Sequence, residues 1–332
     1  MGQDETMSIG VDDVLISVVI PVKNGGSWLD ETIPAILHQE IPGQLELIVI
    51  DSGSSDNTLS ILKKYSVRLI RIEAGDFNHG LTRNLGVAHA KGKYVVLTVQ
   101  DAKPKSSLWL RELLNGFNDD LVAGVCGQQI VPHDLDKNPV EWFRPISKPL
   151  TRKYQFPHKE DFLKLQPDEQ LSICRWDDVN AMYRRDILTR LPFRKTDFAE
   201  DALWAKDALL AGYAIVYNPL AQVEHYHQED YRFAFKRNFI IQYHFNKYFG
   251  TIPDNGENRL LKTLRVIKQI LAEPGIPFSK KWQWVKYNYR NQQAVFMSNR
   301  VFLKKLRDNK PESLEKLYLD LIQVIPQASL NS

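Results

Sequence analysis

The sequence predicts an α/β fold: a mostly parallel sheet flanked by helices, followed by a helical C-terminal appendage. Short apolar runs alternate with segments of helical spacing, which is the pattern of consecutive βαβ units. The runs are nearly continuous rather than alternating, as in parallel strands that are buried on both faces. Polar, turn-forming clusters follow three of these runs, where the carboxyl ends of parallel strands would meet and where such sheets bind ligands.

The elements of the first hundred residues follow from apolar run length and periodicity. Runs of five or six mostly apolar residues bounded by turn residues predict strands, and apolar residues every three or four positions predict helices. The predicted strands are 16–20, 45–50, 67–72 and 94–98, and the predicted helices are 28–39, a segment that begins near Thr58, and 81–90.

The pattern loosens after Pro104. The segment 132–170 is rich in Pro, Lys and Asp, and we expect it to be an excursion rather than part of the core. Regular patterns return in the segment 176–183, in a predicted helix at 200–211 and in a predicted short strand at 214–217.

The last hundred residues are predicted to be helical, with breaks at 250–256 and 274–277 where Gly and Pro recur. We therefore predict two regions, an α/β domain at 14–230 and a helical, basic and aromatic region at 231–332. A length of 332 residues leaves room for both.

Composition excludes several classes of protein. A net charge of +3 is too weak to indicate nucleic-acid binding. Cys126 and Cys174 are too few for a disulfide framework and too far apart for a zinc cluster, which favours a reducing compartment. No apolar run approaches the ~18 residues that cross a bilayer, and the first thirteen residues lack the apolar segment of a secretory signal. We expect a soluble, cytoplasmic protein or one peripheral to a membrane.

Six short blocks stand out by their order and spacing, namely 16–24, 50–58, 80–84, 100–101, 200–201 and 223–227. Together they resemble the motifs of the family 2 glycosyltransferases, which have the GT-A fold, and they cover roughly residues 14–230. Within that family, the blocks 77–84, 97–102 and 178–185 resemble the bacterial rhamnosyltransferases. The resemblance implies an inverting transfer of a sugar from a nucleoside diphosphate donor, assisted by Mn²⁺ or Mg²⁺.

The resemblance places the metal at Asp101, which matches the last aspartate of the family's Asp-x-Asp motif. Hard divalent cations take carboxylate oxygens and bridge diphosphate oxygens. Because Gln100 stands where a further acid often occurs, the site would have few protein ligands. His225 or His227 could add an imidazole, which would favour Mn²⁺. For each histidine, an ordinary surface or core position is an equally good interpretation.

The predicted catalytic base is Asp201, which resembles the catalytic aspartate of the family. Inversion by direct displacement needs a carboxylate that takes the proton of the acceptor hydroxyl. Glu200 is adjacent on a helix and cannot face the same substrate, so we expect it to orient a neighbour or the acceptor. The alternative interpretation is an acidic first turn that complements the helix dipole.

Two groups of binding residues are also predicted: a donor-binding group implied by the resemblance, and an acceptor-binding group that rests on the way sugars bind to aromatic faces with polar groups at their edges. Arg83 is suited to bidentate contact with the diphosphate, or alternatively is a solvated helix charge. The predicted donor-binding residues are Pro21, Val22, Lys23, Asn24, Asp51, His79, Arg83 and Gln100. The predicted acceptor-binding residues, for which a core position is the alternative, are Trp176, Asp178 and Asn180.

Basic and aromatic residues interleave in the segments 231–249 and 280–307. Such helices suit an anionic membrane surface, where a lipid-linked acceptor would be found. Packing against the catalytic domain and a homodimer interface are the two alternatives.

The predicted function is the transfer of a sugar, L-rhamnose from dTDP-L-rhamnose, to a saccharide or lipid-linked saccharide in the synthesis of a cell-surface polysaccharide such as O-antigen. This requires Asp101 and Asp201 to converge on opposite sides of one anomeric carbon. The alternative is a non-catalytic protein that binds nucleotide sugars or glycans, suggested by Gln100. A nucleotidyltransferase is disfavoured, because the chain lacks a glycine-rich phosphate loop that ends in lysine.

Overall fold

The computed structural model describes residues 14–143, 150–254, 256, 258–307 and 311–322. The first thirteen residues, on which the signal-sequence interpretation rests, lie outside this range, as do parts of the predicted region 231–332. The described residues form two compact units. The first unit consists of the described residues within Met1–Gln129, Lys148–Lys164 and Cys174–Glu224. The second unit consists of the described residues within Ile130–Ser147, Leu165–Ile173 and His225–Ser332.

Strands and helices alternate through the first unit, as the apolar patterning predicts. The strands are β1 Val14–Val22, β2 Gln44–Asp51, β3 Arg68–Arg71, β4 Tyr94–Thr98, β5 Lys103–Pro104, β6 Val122–Ile130, β7 Arg152–Tyr154, β8 Asn180–Arg184 and β9 Ala214–Glu224. The helices of the chain are α1 Gly26–Leu37, α2 Thr58–Leu62, α3 His79–His89, α4 Trp109–Leu114, α5 Lys159–Leu163, α6 Pro167–Ile173, α7 Arg185–Arg190, α8 Glu200–Leu210, α9 Tyr231–Phe249, α10 Arg259–Ala272, α11 Phe278–Arg307 and α12 Pro311–Ile322.

The described strands form one mixed sheet in the order β3-β2-β1-β4-β8-β6-β9-β5, with β7 paired to β9. The four strands β3, β2, β1 and β4 are parallel, as βαβ connections require. The other half of the sheet contains antiparallel pairs. Strand β8 pairs antiparallel with β4 and β6, and strand β9 pairs antiparallel with β5 and β7. The parallel half carries the predicted ligand-binding edge, and the antiparallel half was not distinguished by the sequence pattern.

The core of the first unit lies on the faces of the parallel strands. In β1, the side chains of Ile16, Val18, Val19 and Ile20 are completely buried, which explains the continuous apolar run. Helix α1 contributes Leu29, Ile33 and Ile36 to the same core, at the spacing expected for one helical face.

Two expectations from the sequence are wrong in this unit. The part of the segment 132–170 that belongs to this unit is not an excursion, because β7 pairs with β9 in the sheet and Phe162 of α5 is fully buried. The strand expected at 214–217 runs on to Glu224, because Ala221 and Val223 continue its buried face past the polar Asn218.

The second unit is helical, with breaks at the predicted positions. The aromatic side chains of α9 are buried or half-buried, and Phe239 packs on Phe302 of α11 with ring centroids 5.7 Å apart. A smaller apolar cluster joins Ile270 of α10 to Trp284 and Val285 of α11. Packing within the unit therefore accounts for the aromatic residues of 231–249. Within the described residues, no helix combines the length and apolar character that crossing a membrane requires.

Candidate active site

The loops that follow β1, β2 and β4 meet at one edge of the sheet, because these strands are parallel neighbours. The Lys23 amide donates to Gln100 Oε1 at 3.0 Å, and Gln100 Nε2 donates to the Lys23 carbonyl at 3.3 Å. A Cβ atom on Gly25 would lie 2.6 Å from Gln100 Oε1, so the glycine permits this close approach. Gln100, which departs from the family pattern, thus fixes the loop after β1.

A second set of bonds ties the loop after β1 to the loop after β2. The Asn24 amide donates to Ser54 Oγ at 2.9 Å, and the Ser55 amide donates to Asn24 Oδ1 at 2.8 Å. Asn24 has a φ of +51°, a left-handed conformation that asparagine tolerates better than most residues. The carboxylate of the buried Asp51 accepts from the Ser54 amide at 3.2 Å. Most of the predicted donor-binding residues therefore occupy one edge of the sheet.

A buried cluster of charged side chains lies between α3 and the start of α8. Arg83 Nη1 donates to Glu200 Oε1 and lies 3.5 Å from Asp178 Oδ2. His79 Nδ1 is 3.9 Å from Glu200 Oε1. The cluster brings together four side chains from three of the blocks. Arg83, for which the sequence predicts contact with a diphosphate, instead contacts the carboxylates of Asp178 and Glu200.

The two adjacent acids at the start of α8 have different surroundings. Burial raises the pKa of Glu200, but Arg83 and His79 outweigh it and hold that pKa below its usual value. Burial of the half-buried Asp201, together with the charges of Glu200 and Asp178, outweighs the lowering effect of Arg83 and holds the pKa of Asp201 well above the usual range for aspartate. Glu200 is therefore a paired anion, whereas Asp201 is a carboxylate that gains from accepting a proton.

A chain of hydrogen bonds connects Trp176 to this cluster. Trp176 Nε1 donates to the Tyr183 hydroxyl at 2.6 Å, and that hydroxyl donates to Asp178 Oδ1. Burial raises the pKa of Asp178 to about 7, although Arg83 opposes the shift. Asn180 is fully buried in β8, where its Oδ1 accepts from Trp109 Nε1 at 2.7 Å. Trp176, Asp178 and Asn180 are thus interior residues, and their predicted acceptor role stays a prediction.

Asn78, which caps the start of α3, and Gly80 and Asn84 within α3 hold the segment before α8. Asn84 bonds reciprocally to the Phe193 backbone, donating to its carbonyl at 2.9 Å and accepting from its amide at 3.0 Å. Asn78 Nδ2 donates to the Thr196 carbonyl at 2.9 Å. A Cβ atom on Gly80 would lie 2.8 Å from the Arg194 carbonyl oxygen. The only signal for this role was that these residues belong to one of the family blocks.

Backbone strain precedes the two acids. Ala199 has a φ of +65° and a ψ of 27°, a left-handed conformation that costs an alanine about 1–2 kcal/mol. The bonds from Asn78 and Asn84 fix the segment that contains it. Strain of this kind persists where the surrounding structure holds the backbone, and it often marks functional sites.

The predicted metal ligands lie near the ends of β4 and β9. Asp101 follows β4, two residues before Lys103, which pairs with Glu224 at the end of β9. Lys105 Nζ also contacts Glu224 Oε1 at 2.7 Å. His225 follows Glu224 in the chain. The Nε2 atoms of His225 and His227 are 2.9 Å apart. Two ligand atoms at about 2.1 Å from one ion and at right angles would be about 3 Å apart, so the histidine pair fits a shared cation.

Comparisons with known proteins give the family context. The family model described as Glycosyl transferase family 2 matches residues 17–191. The chain is 34% identical to the O-antigen chain rhamnosyltransferase RfbN of Salmonella typhimurium over 68% of this chain and 70% of that protein. It is 33% identical to the O-antigen chain rhamnosyltransferase WbaN of Salmonella anatum over 67% of this chain and 70% of that protein. These matches confirm the predicted resemblance to the rhamnosyltransferases.

Solved structures share the fold at low sequence identity. The structure of residues 1–349 of TarS from S. aureus covers 88% of this chain and 92% of its own length, with a TM-score of 0.51 and 16% identity. The structure of the mannosyltransferase PcManGT from Pyrobaculum calidifontis, in complex with GDP-Man and Mn²⁺, covers 97% of this chain and 87% of its own length. Its TM-score is 0.51 and its sequence identity 16%. This likeness confirms the predicted fold class.

Proposed function

Because the chain belongs to glycosyl transferase family 2 and is a glycosyltransferase, we propose that it transfers L-rhamnose from dTDP-L-rhamnose, with inversion, to a saccharide or lipid-linked saccharide. The product would be a cell-surface polysaccharide of the O-antigen kind. The identity to two O-antigen chain rhamnosyltransferases supports the choice of sugar. The contrast between Glu200 and Asp201 is the single observation that carries the transfer chemistry.

Asp201 is proposed as the catalytic base. A single displacement requires a carboxylate that removes the proton of the acceptor hydroxyl as that oxygen attacks the anomeric carbon. A raised pKa makes Asp201 the stronger proton acceptor of the two acids once it is ionised. Glu200 is bound to Arg83 and is proposed to position its neighbour rather than to take the proton.

Donor binding is proposed for the edge formed by the loops after β1, β2 and β4. Pro21, Val22, Lys23 and Asn24 would hold the nucleoside together with Asp51. Gln100 would act through the Lys23 backbone, to which it is bonded. His79 is partly exposed beside the cluster and could contact the diphosphate, whereas Arg83 would act through its carboxylate partners.

A divalent metal is proposed to be held by Asp101 together with His225 and His227. The donor set combines one carboxylate with two imidazoles, which favours Mn²⁺ over Mg²⁺. When bound, the metal would neutralise charge on the departing diphosphate. Asp101 would then be on the donor side of the anomeric carbon and Asp201 on the acceptor side.

For the acceptor side, burial supports an indirect role. Trp176 and Asp178 reach Arg83 through the Tyr183 hydroxyl and the ion pair, so they would shape the acceptor region by fixing the charged cluster. Direct contact of Asn180 with a sugar would require its internal bonds to break. Direct contact with an acceptor is therefore proposed for Trp176 alone, which at 7% exposure is the least buried of the three residues.

A panel of nucleotide sugars tests the proposed donor. A preferred donor stabilises the native state by mass action, by about 2.7 kcal/mol at a hundredfold excess over its Kd. We expect dTDP-L-rhamnose with Mn²⁺ to raise the melting temperature most, and to be hydrolysed or transferred. A larger shift with UDP- or GDP-linked sugars would refute the donor. Binding without turnover across metals and acceptors would favour the non-catalytic alternative.

A further inference from the structure

Helix α10 exposes a second apolar face besides the one that it buries. Val266, Ile267 and Ile270 pack in the cluster with α11, which is the stripe that an amphipathic helix normally presents to its own core. Leu260, Leu264 and Leu271 are exposed by 72%, 52% and 41%. At 3.6 residues per turn these three leucines fall within about 40° around the helix axis, so they form one stripe.

The start of α11 extends this exposed surface. Phe278 and Trp282 are exposed by 69% and 54%, and their rings meet edge to face with their centroids 6.2 Å apart. Lys281 Nζ donates to the Leu271 carbonyl at 2.8 Å and so connects the end of α10 to this turn of α11. We refer to Leu260, Leu261, Leu264, Leu271, Phe278 and Trp282 as the exposed apolar surface.

Positive charge is concentrated in the segment that carries this surface. Residues 259–307 contain twelve Lys or Arg residues and one acid, Glu273, although the whole chain has a net charge of only +3. Arg265 and Lys268 of α10 are exposed and lie beside the leucine stripe. Leucine and aromatic side chains next to a row of cations are the chemistry of a helix that lies in the interface of an anionic bilayer.

The same charge argues against a second copy of the chain as the occupant. A two-fold interface brings the same surface of both copies together, so this one would oppose its own cations. Anionic lipid headgroups would compensate those cations while the acyl chains accept the leucines and aromatic rings.

We propose that the exposed apolar surface of α10 and the first turns of α11 docks on an anionic membrane. Arg265 and Lys268 would lie at headgroup level, and the leucines and Trp282 would enter the acyl boundary. The sequence-based expectation named 231–249 and 280–307, so Trp282 belongs to both surfaces. The proposed surface adds α10, which the sequence did not single out, and leaves out α9, whose aromatic residues pack inside the unit.

Co-sedimentation of the full chain with vesicles tests the proposal. We expect binding to vesicles of phosphatidylcholine mixed with phosphatidylglycerol, weak binding to phosphatidylcholine alone, and a decrease as salt screens the charges. The variant Leu260→Ser/Leu264→Ser should weaken binding by about tenfold or more, because it removes apolar surface from the interface. Arg265→Glu/Lys268→Glu should weaken it specifically on the anionic vesicles.

A matched control changes an exposed leucine and an exposed lysine of the first unit, Leu220→Ser and Lys63→Glu, and should leave vesicle binding unchanged. Equal sedimentation of wild type and both α10 variants would overturn the proposal. So would a wild-type dimer in solution that the leucine variant converts to a monomer, since the surface would then be a protein interface.

The outcome is independent of the transfer chemistry. Both α10 variants should keep wild-type hydrolysis of the donor in vesicle-free solution. Loss of vesicle binding with intact hydrolysis would support the docking surface whatever the donor is, and a failed donor assay would leave the vesicle result interpretable.

Discussion

Arg83 in α3 and Glu200 at the start of α8 form a buried ion pair between residues that are far apart in the chain. Asp178 completes the arrangement, with its Oδ2 3.5 Å from the same guanidinium nitrogen. One guanidinium thus contacts two carboxylates, and its attraction for Asp201 is outweighed by burial and by the charges of Glu200 and Asp178. The chemical difference between the adjacent acids Glu200 and Asp201 follows from this relationship.

Removing Arg83 should be strongly destabilising. Breaking a buried ion pair leaves an uncompensated charge, which costs about 3–5 kcal/mol. We expect Arg83→Met to lower the free energy of unfolding by this amount in urea titrations, and Arg83→Met/Glu200→Met to recover part of it. A double variant no more stable than the single one would contradict the pairing.

Asn84→Ala should cost about 1–3 kcal/mol, because it leaves the amide and the carbonyl of Phe193 without their partner. It should also lower kcat, since the strained segment before Asp201 loses a support. The exposed Asn115→Ala serves as the control and should change neither quantity. Unchanged unfolding and kcat in Asn84→Ala would show that the contact does not position the site.

Much of the parallel half of the fold was predictable, because β1 and β2 are buried on both faces and so read as apolar runs. The antiparallel half was not, because β5 and β7 have only two and three residues and give no periodic signal. The blocks identified Arg83 and Glu200 separately. Their pairing was not predictable, since it depends on how α3 and α8 meet in the fold.

The free energy of unfolding should fall as the pH rises from about 4 to about 7, because Asp178 keeps its proton in the native state over this interval and loses it in the unfolded chain. Its folded-state pKa of about 7 lies above the value of about 3.9 in an unfolded chain, so the native state binds more protons in this interval. Asp178→Asn should remove this part of the slope and leave the part that comes from the raised pKa of Asp201, which unfolding titrations at several pH values would measure. A difference between wild type and variant that does not change with pH would contradict the assignment.

The acid limb of the pH–rate profile should lie above the ordinary range of aspartate. The proposed base acts only when ionised, and burial and neighbouring acids raise the pKa of Asp201. The rate at saturating donor should therefore still be rising at a pH where an ordinary carboxylate, with a pKa near about 4, is fully ionised. A profile that is flat from pH 5 upwards would contradict a base in this environment.

The most direct test compares Asp201→Asn with Glu200→Gln in single-turnover transfer, with donor binding measured alongside. We predict that Asp201→Asn loses at least about 10²-fold in the chemical step, the range of general-base catalysis, while the donor binds as in wild type and the fold is intact. Glu200→Gln should reduce stability more than Asp201→Asn does. Wild-type turnover in Asp201→Asn would contradict the assignment of the base.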